Sequence, residues 1–120
     1  MTQEDKELLF EDLCARFPYK VYAQIYGSYI SAIESIDIDG FVTDFEGTQI
    51  EIENFKPYLL PLSSMTEEQK KELKSLMISG PYGILYHTIY SFDYLYKNHI
   101  DFRGLIKKGL ALDATGLNIY

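Results

Sequence analysis

The sequence has a single cysteine, no tryptophan and no long apolar run among its 120 residues. One cysteine excludes an internal disulfide and a cysteine-based zinc site within one chain. No apolar stretch approaches the roughly 20 residues that a membrane-spanning helix needs. The first residues, Met1–Asp5, are acidic, whereas a signal peptide begins basic and continues apolar. We therefore expect a cytoplasmic protein that does not enter a membrane.

The composition is nevertheless that of a folded protein. Apolar residues make up 47% of the chain, and 18 side chains are aromatic, 11 of them tyrosine and 7 phenylalanine. This length and apolar content allow one hydrophobic core. No internal repeat or linker divides the chain, so residues 1–120 are predicted to form a single domain.

Basic residues are missing from one third of the chain. The 18 acidic and 11 basic residues give a net charge of −7, and residues 21–55 contain no Lys or Arg. Such a stretch repels phosphate, so direct binding of nucleic acid is not expected. It fits a basic protein partner, or simply carboxylates that keep outward strand faces solvated. The predicted acidic face consists of Glu34, Asp37, Asp44, Glu46, Glu51 and Glu53.

The N-terminal third changes from a helical to a strand pattern. Residues 3–17 predict an amphipathic helix with Leu9, Leu13 and Phe17 on its apolar face and Cys14 buried beside them. Period-two alternation then predicts four antiparallel strands, with a bulge or twist near Glu34. The strongest turn signal between these strands is the pair Asp39-Gly40.

The second half predicts an extended segment and then helices. Two prolines in residues 55–62 suggest that this segment lies at a sheet edge or off the sheet. Thr66 and Gln69 form a capping box for one helix, and residues 82–97 predict another. We therefore expect an α+β fold with an N-terminal helix, a four-stranded antiparallel meander and C-terminal helices packed on one face. A small closed barrel of the Sm or SH3-like kind, with added helices, is the alternative.

Tyrosines recur every fourth residue in the last predicted helix. This spacing places Tyr82, Tyr86, Tyr90 and Tyr94 along one stripe. Tyrosine combines a large apolar area with a hydroxyl that tolerates water, so the stripe fits either a central core helix or a protein interface. If it is an interface, a homodimer is the simplest assembly.

Sequence signals for catalysis are weak. His87, Asp93, His99 and Asp101 could form an acid–base group only if the chain returned to bring them together. Their spacing fits no metal-binding motif, and no nucleophile elbow, phosphate loop or calcium loop is present. The sequence therefore predicts no catalytic residue, no metal and no cofactor. Arg103 is expected to pair with Asp101 or Asp93.

Two segments resemble a family of small uncharacterised bacterial proteins of prophage-like and other mobile elements. Residues 55–68 resemble its "KPYLxPLSSMTEE" stretch, and residues 98–112 are similar to its "HxDxRGLI…GLAL" stretch. The order of helix, meander and helix also matches. The resemblance implies an intracellular accessory protein and assigns no catalytic or ligand role to any residue.

Three functions follow as hypotheses. The favoured one is a non-catalytic protein-interaction module of a mobile-element context that self-associates. The first alternative is an acidic decoy that blocks the basic surface of a nucleic-acid-binding partner. The second is a small enzyme that uses the His and Asp residues named above.

Overall fold

The N-terminal helix buries a face that includes two charged side chains. The computed structural model describes all residues 1–120, and helix α1 covers Gln3–Arg16. Its buried positions follow a helical repeat and are Leu9, Asp12, Leu13 and Arg16. The buried face of α1 is therefore rotated about the helix axis relative to the predicted one. The prediction that Cys14 is buried was wrong, because Cys14 is exposed. The rotation is possible because the two buried charges pair with each other.

The remaining elements are short. The other helices are α2 (Glu67–Ser75) and α3 (Ile89–Lys97), and short 3-10 turns occupy Ile52–Asn54, Leu62–Ser64 and Pro81–Gly83. The strands are β1 (Tyr22–Ile25), β2 (Tyr29–Ala32), β3 (Ser35–Ile36), β4 (Val42–Thr43), β5 (Gln49–Ile50), β6 (Phe55–Pro61), β7 (Ile78–Ser79), β8 (Leu85–Tyr86), β9 (Ile100–Asp101) and β10 (Leu112–Asp113). The α+β class, with an N-terminal helix and C-terminal helices, is confirmed.

The predicted run of four strands divides into two sheets. β1 and β2 form an antiparallel hairpin of the main sheet, whereas β3, β4 and β5 form a separate antiparallel sheet. The division occurs beside the expected bulge: the Ile33 amide donates to Val21, and the next amide, of Glu34, donates to Thr43. At the tip of the β3–β4 hairpin, Gly40 has a φ of 85°, as its turn signal predicts.

Strand β6 is central to the main sheet, so the prediction of an edge position for residues 55–62 was wrong. The sheet runs β10-β6-β1-β2, and β9 also pairs with β6. β6 is antiparallel to β1 and parallel to β9 and β10. Its prolines occupy positions where a missing amide hydrogen is tolerated: Pro57 is the last residue paired with β1, and Pro61 ends the strand.

The predicted helix over residues 82–97 starts seven residues later than expected. Tyr82 and Gly83 have positive φ values of 61° and 73°, which interrupt a right-handed helix. β7 and β8 pair instead as an antiparallel hairpin around the Pro81–Gly83 turn. α3 begins only after Thr88, whose hydroxyl accepts a hydrogen bond from the Ser91 amide at 3.1 Å.

One main core holds the two sheets and α1 together. Its largest fully buried apolar side chains include Leu9, Ile25, Ile50, Phe55 and Leu59, and a second, smaller cluster joins Met65, Leu95 and Ile100 under α2 and α3. The molecule is elongated, with extents of 48 × 30 × 24 Å. None of its helices has the length and apolar character required to cross a bilayer.

Candidate interaction surface

The β7–β8 hairpin and the start of α3 expose a group of large apolar side chains. Tyr82 is fully exposed, Ile89 is 77% exposed and Tyr90 is 68% exposed. We call the following set the hairpin surface: Ile78, Tyr82, Ile84, Leu85, Tyr86, Ile89, Tyr90 and Phe92. Scattered exposed apolar residues are ordinary, but eight within fifteen consecutive residues are a feature that marks interaction sites.

The segment that carries the hairpin surface has no charge at all. Residues 75–92 contain no Lys, Arg, Asp or Glu, in a chain whose charged residues make up 24% of the total. Exposed strand edges are usually protected by charges or prolines, because an unpaired edge can pair with another chain. β7 and β8 pair only with each other, so each keeps an open edge, and Pro81 lies in the turn between them.

The four tyrosines predicted to form one helical stripe are distributed over three elements. Tyr82 lies in the turn, Tyr86 on β8, and Tyr90 and Tyr94 on α3. The ring of Tyr86 covers Gly80 so closely that a Cβ there would collide with it. Tyr94 is half-buried and its hydroxyl donates to Glu72 at 3.1 Å. The prediction that the four tyrosines form one stripe along a helix was therefore wrong. Three of them nevertheless belong to the hairpin surface.

The predicted acidic face loses one member. Asp44 is only 3% exposed. Its carboxylate accepts hydrogen bonds from the Tyr29 hydroxyl at 2.7 Å and from the amides of Glu46 and Thr48, both at 2.9 Å. The Tyr29 hydrogen bond, with those amides, lowers the pKa of Asp44, while the carboxylate raises the pKa of Tyr29 to about 12. Asp44 thus holds the β4–β5 turn.

The other five predicted acidic residues are exposed: Glu34, Asp37, Glu46, Glu51 and Glu53. Two of them also have local partners. The Asp37 carboxylate accepts from the amides of Asp39 and Phe41, at 2.9 and 3.0 Å, and Glu53 pairs with Lys6 at 2.5 Å.

The candidate His and Asp residues have separate partners. His87 hydrogen-bonds Ser91 at 3.0 Å, and Asp93 accepts from the Tyr19 hydroxyl at 2.5 Å. Asp101 is buried, where its carboxylate accepts the amides that follow it at positions 105 and 106, both at 2.9 Å. Nowhere in the structure do three or more His, Cys, Asp or Glu side chains gather in a geometry suited to a metal ion.

His99 is half-buried just beyond the end of α3. Its backbone has a φ of 61°, and its ring stacks on that of Tyr120 with centroids 3.6 Å apart. Its Nδ1 is buried without a hydrogen-bond partner. Burial, together with the nearby positive charge of Arg16, lowers the pKa of His99 to about 4, so the ring is neutral at pH 7.

The structure contains a buried network of one carboxylate and two guanidinium groups that no sequence pattern predicts. Asp12 and Arg16 are both fully buried, and Arg16 Nε donates to Asp12 at 2.6 Å. Arg103 donates to the other oxygen of Asp12 at 2.6 Å, rather than to Asp101 or Asp93 as predicted. Arg16 also donates to the carbonyl of Ile100 at 2.6 Å, so the network joins α1 to β9 and the C-terminal segment.

No protein-family model matches this chain, and no curated protein or solved structure shows significant similarity to it.

Proposed function

We propose that this protein is a non-catalytic protein-interaction module that forms a homodimer through the hairpin surface. The observation that carries the proposal is the concentration of exposed apolar side chains in the uncharged segment 75–92. The mobile-element setting of this module comes from the resemblance of residues 55–68 and 98–112 alone.

The exposed area is sufficient for a stable contact. The eight side chains of the hairpin surface together expose as much as about five fully exposed ones, or roughly 1,000 Å² at about 200 Å² per large side chain. Leu85 and Tyr86 are neighbours on one strand and point to opposite faces of the hairpin, so one contact covers about half of this area. Two copies that meet through that half bury roughly 1,000 Å² in total, which is about the minimum for a specific interface. The composition of the hairpin surface, rich in tyrosine and without charge, is also typical of the buried centre of a protein interface.

Electrostatics supports a second copy as the occupant. Each chain has a net charge of −7, so two copies repel each other over most of their surfaces. The uncharged segment is where two identical chains can approach without placing carboxylates opposite each other. In a symmetric homodimer the same surface on both copies forms the contact, so no other protein is required.

The proposal is tested by the mass of the protein in solution and by a pair of matched variants. Light scattering after size exclusion, with the protein at tens of micromolar, is expected to give the mass of a dimer. The double variant Ile89→Glu with Tyr90→Glu should be a folded monomer, because acidic residues are favourable in the first turn of a helix and repel across a symmetric contact.

The control variant introduces the same charges on exposed apolar residues outside the hairpin surface. Ile38→Glu with Phe45→Glu replaces side chains that are 90% and 63% exposed, and it should remain dimeric. A monomeric mass for the unmodified protein would contradict the proposal. So would a control variant that dissociates as readily as the Ile89 and Tyr90 variant.

A further inference from the structure

A groove of about 470 Å³ lies between the start of α1 and the β3–β4 hairpin, and none of its residues belongs to the hairpin surface. Its size is within the range of ligand-binding sites, about 300–1,000 Å³. Four apolar side chains line it: Phe10 of α1, Ile38 and Phe41 of the hairpin, and Ile52 of the following 3-10 turn. We call this cavity the acidic groove.

The charge of the groove is strongly negative. Its carboxylates come from three separate segments of the chain and are Glu7, Asp39, Glu51 and Glu53. Lys6 is the one basic residue in the lining, and it pairs with Glu53. Glu7, Asp39 and Glu51 form no ion pair with any Lys, Arg or His. The lining thus has a net charge of −3, and three of its carboxylates are available to a cationic partner.

An apolar side chain is held at the mouth of this acidic groove. Ile38 is 90% exposed, more than any other large apolar side chain of the protein except Tyr82. Its loop is fixed by the Asp37 carboxylate, which accepts two backbone amides, and by the turn at Gly40. The groove therefore presents apolar contact area and carboxylates together, which suits an occupant that has both an apolar and a cationic part.

We propose that the acidic groove binds a basic peptide segment of a partner protein. One apolar side chain of that segment enters between Phe10, Ile38 and Ile52, and flanking Lys or Arg side chains pair with the free carboxylates. The sign of the charge excludes phosphate-bearing ligands such as nucleic acid and anionic lipid surfaces. Exposed ion pairs are individually weak, so the apolar side chain supplies affinity while the charges select basic partners.

The test uses a short fluorescein-labelled peptide with a central leucine flanked on each side by lysines. Fluorescence anisotropy should show saturable binding to the full-length protein, weakened by added salt. A matched peptide with serine in place of leucine, and another with glutamines in place of lysines, should each bind at least about tenfold more weakly. Equal binding of the serine peptide would overturn the proposal, because binding would then depend on charge alone.

A matched pair of variants locates the binding. Glu7→Gln with Glu51→Gln removes two unpaired carboxylates of the groove and should weaken binding about tenfold. Glu34→Gln with Glu46→Gln removes the same charge from exposed positions outside the lining and should change binding by less than about twofold. Ile38→Ser should also weaken binding. The proposal fails if the unmodified protein does not bind the peptide, or if both carboxylate pairs have the same effect.

Discussion

Removing the carboxylate of Asp12 should strongly destabilise the protein. Asp12 accepts from Arg16 Nε at 2.6 Å, from Arg16 Nη2 at 3.1 Å and from Arg103 Nη1 at 2.6 Å. The substitution Asp12→Ala leaves the fully buried Arg16 with only the carbonyl of Ile100, since its Nη1 already has no partner. Arg103 loses less, because it is partly exposed and still donates to the Tyr96 hydroxyl.

The size of the expected loss of stability follows from the burial of the Asp12–Arg16 ion pair. Removing one partner of a buried ion pair costs about 3–5 kcal/mol, because the other charge remains buried without compensation. A domain of this size has a total stability of about 5–15 kcal/mol, so Asp12→Ala should remove a large part of it. We expect Tm to fall by more than about 10 °C. The neighbouring substitution Glu11→Ala, on the exposed side of the same helix, should change stability by less than about 0.5 kcal/mol.

Urea unfolding at pH 7, followed by far-ultraviolet circular dichroism, measures both variants. A third variant separates charge from packing: Asp12→Leu with Arg16→Met and Arg103→Met replaces the whole network with apolar side chains. Such replacements are often neutral or stabilising, so the triple variant should be more stable than Asp12→Ala alone. A loss of less than about 1 kcal/mol for Asp12→Ala would refute this account of the network.

Three further substitutions test local features of the fold. His99→Asn keeps a residue suited to positive φ. The pKa of His99 is about 4 in the folded state and about 6.5 in the unfolded state, so the unfolded state binds the proton first as the pH falls. Urea midpoints should therefore show that the unmodified protein loses stability relative to this variant between about pH 6.5 and pH 4. Gly40→Val should cost about 1–3 kcal/mol through its positive φ, and an unchanged urea midpoint would contradict this. Asp101→Ala should cost about 1–3 kcal/mol in the same assay, because it leaves the amides of Leu105 and Ile106 without an acceptor, and Asp101→Asn, which keeps one acceptor, should cost less.

The fold class could be predicted because its signals are local. Capping at Thr66 and the turn at Gly40 depend on residues within a few positions of each other, and both are present in the structure. The central position of β6 depends instead on parallel pairing with β9 and β10, which lie about 40 to 55 residues further along the chain. No pattern within residues 55–62 contains that information, so the prolines led to the wrong position.

The helix predicted over residues 82–97 shows how one spacing can fit two structures. Tyrosines at every fourth residue also occur when a hairpin precedes a shorter helix. The segment Gly80-Pro81-Tyr82-Gly83 was a turn signal that could have separated the two possibilities. The positive φ of Tyr82 cannot be predicted from its residue type, because it arises from closure of the β7–β8 hairpin.

Of the buried network, only half could have been inferred from sequence. Asp12 and Arg16 are four residues apart on a helix, a spacing that favours an ion pair. In the structure the pair is also bound by Arg103, which lies 91 residues from Asp12 in the sequence, and by the carbonyl of Ile100. Charged pairs at this spacing usually lie on the exposed side of a helix, so the sequence favours an apolar face that includes Cys14 and Phe17 instead.

The distribution of charge gives the two proposed surfaces opposite responses to salt. Two chains of net charge −7 repel each other as they approach, and salt screens this repulsion, so a dimer formed through the uncharged segment 75–92 should strengthen as salt is added. Binding of a basic peptide to the acidic groove depends on attraction and should weaken over the same range. A dimer that weakens with salt would need ion pairs across its contact, and the hairpin surface has no charged side chain to form them.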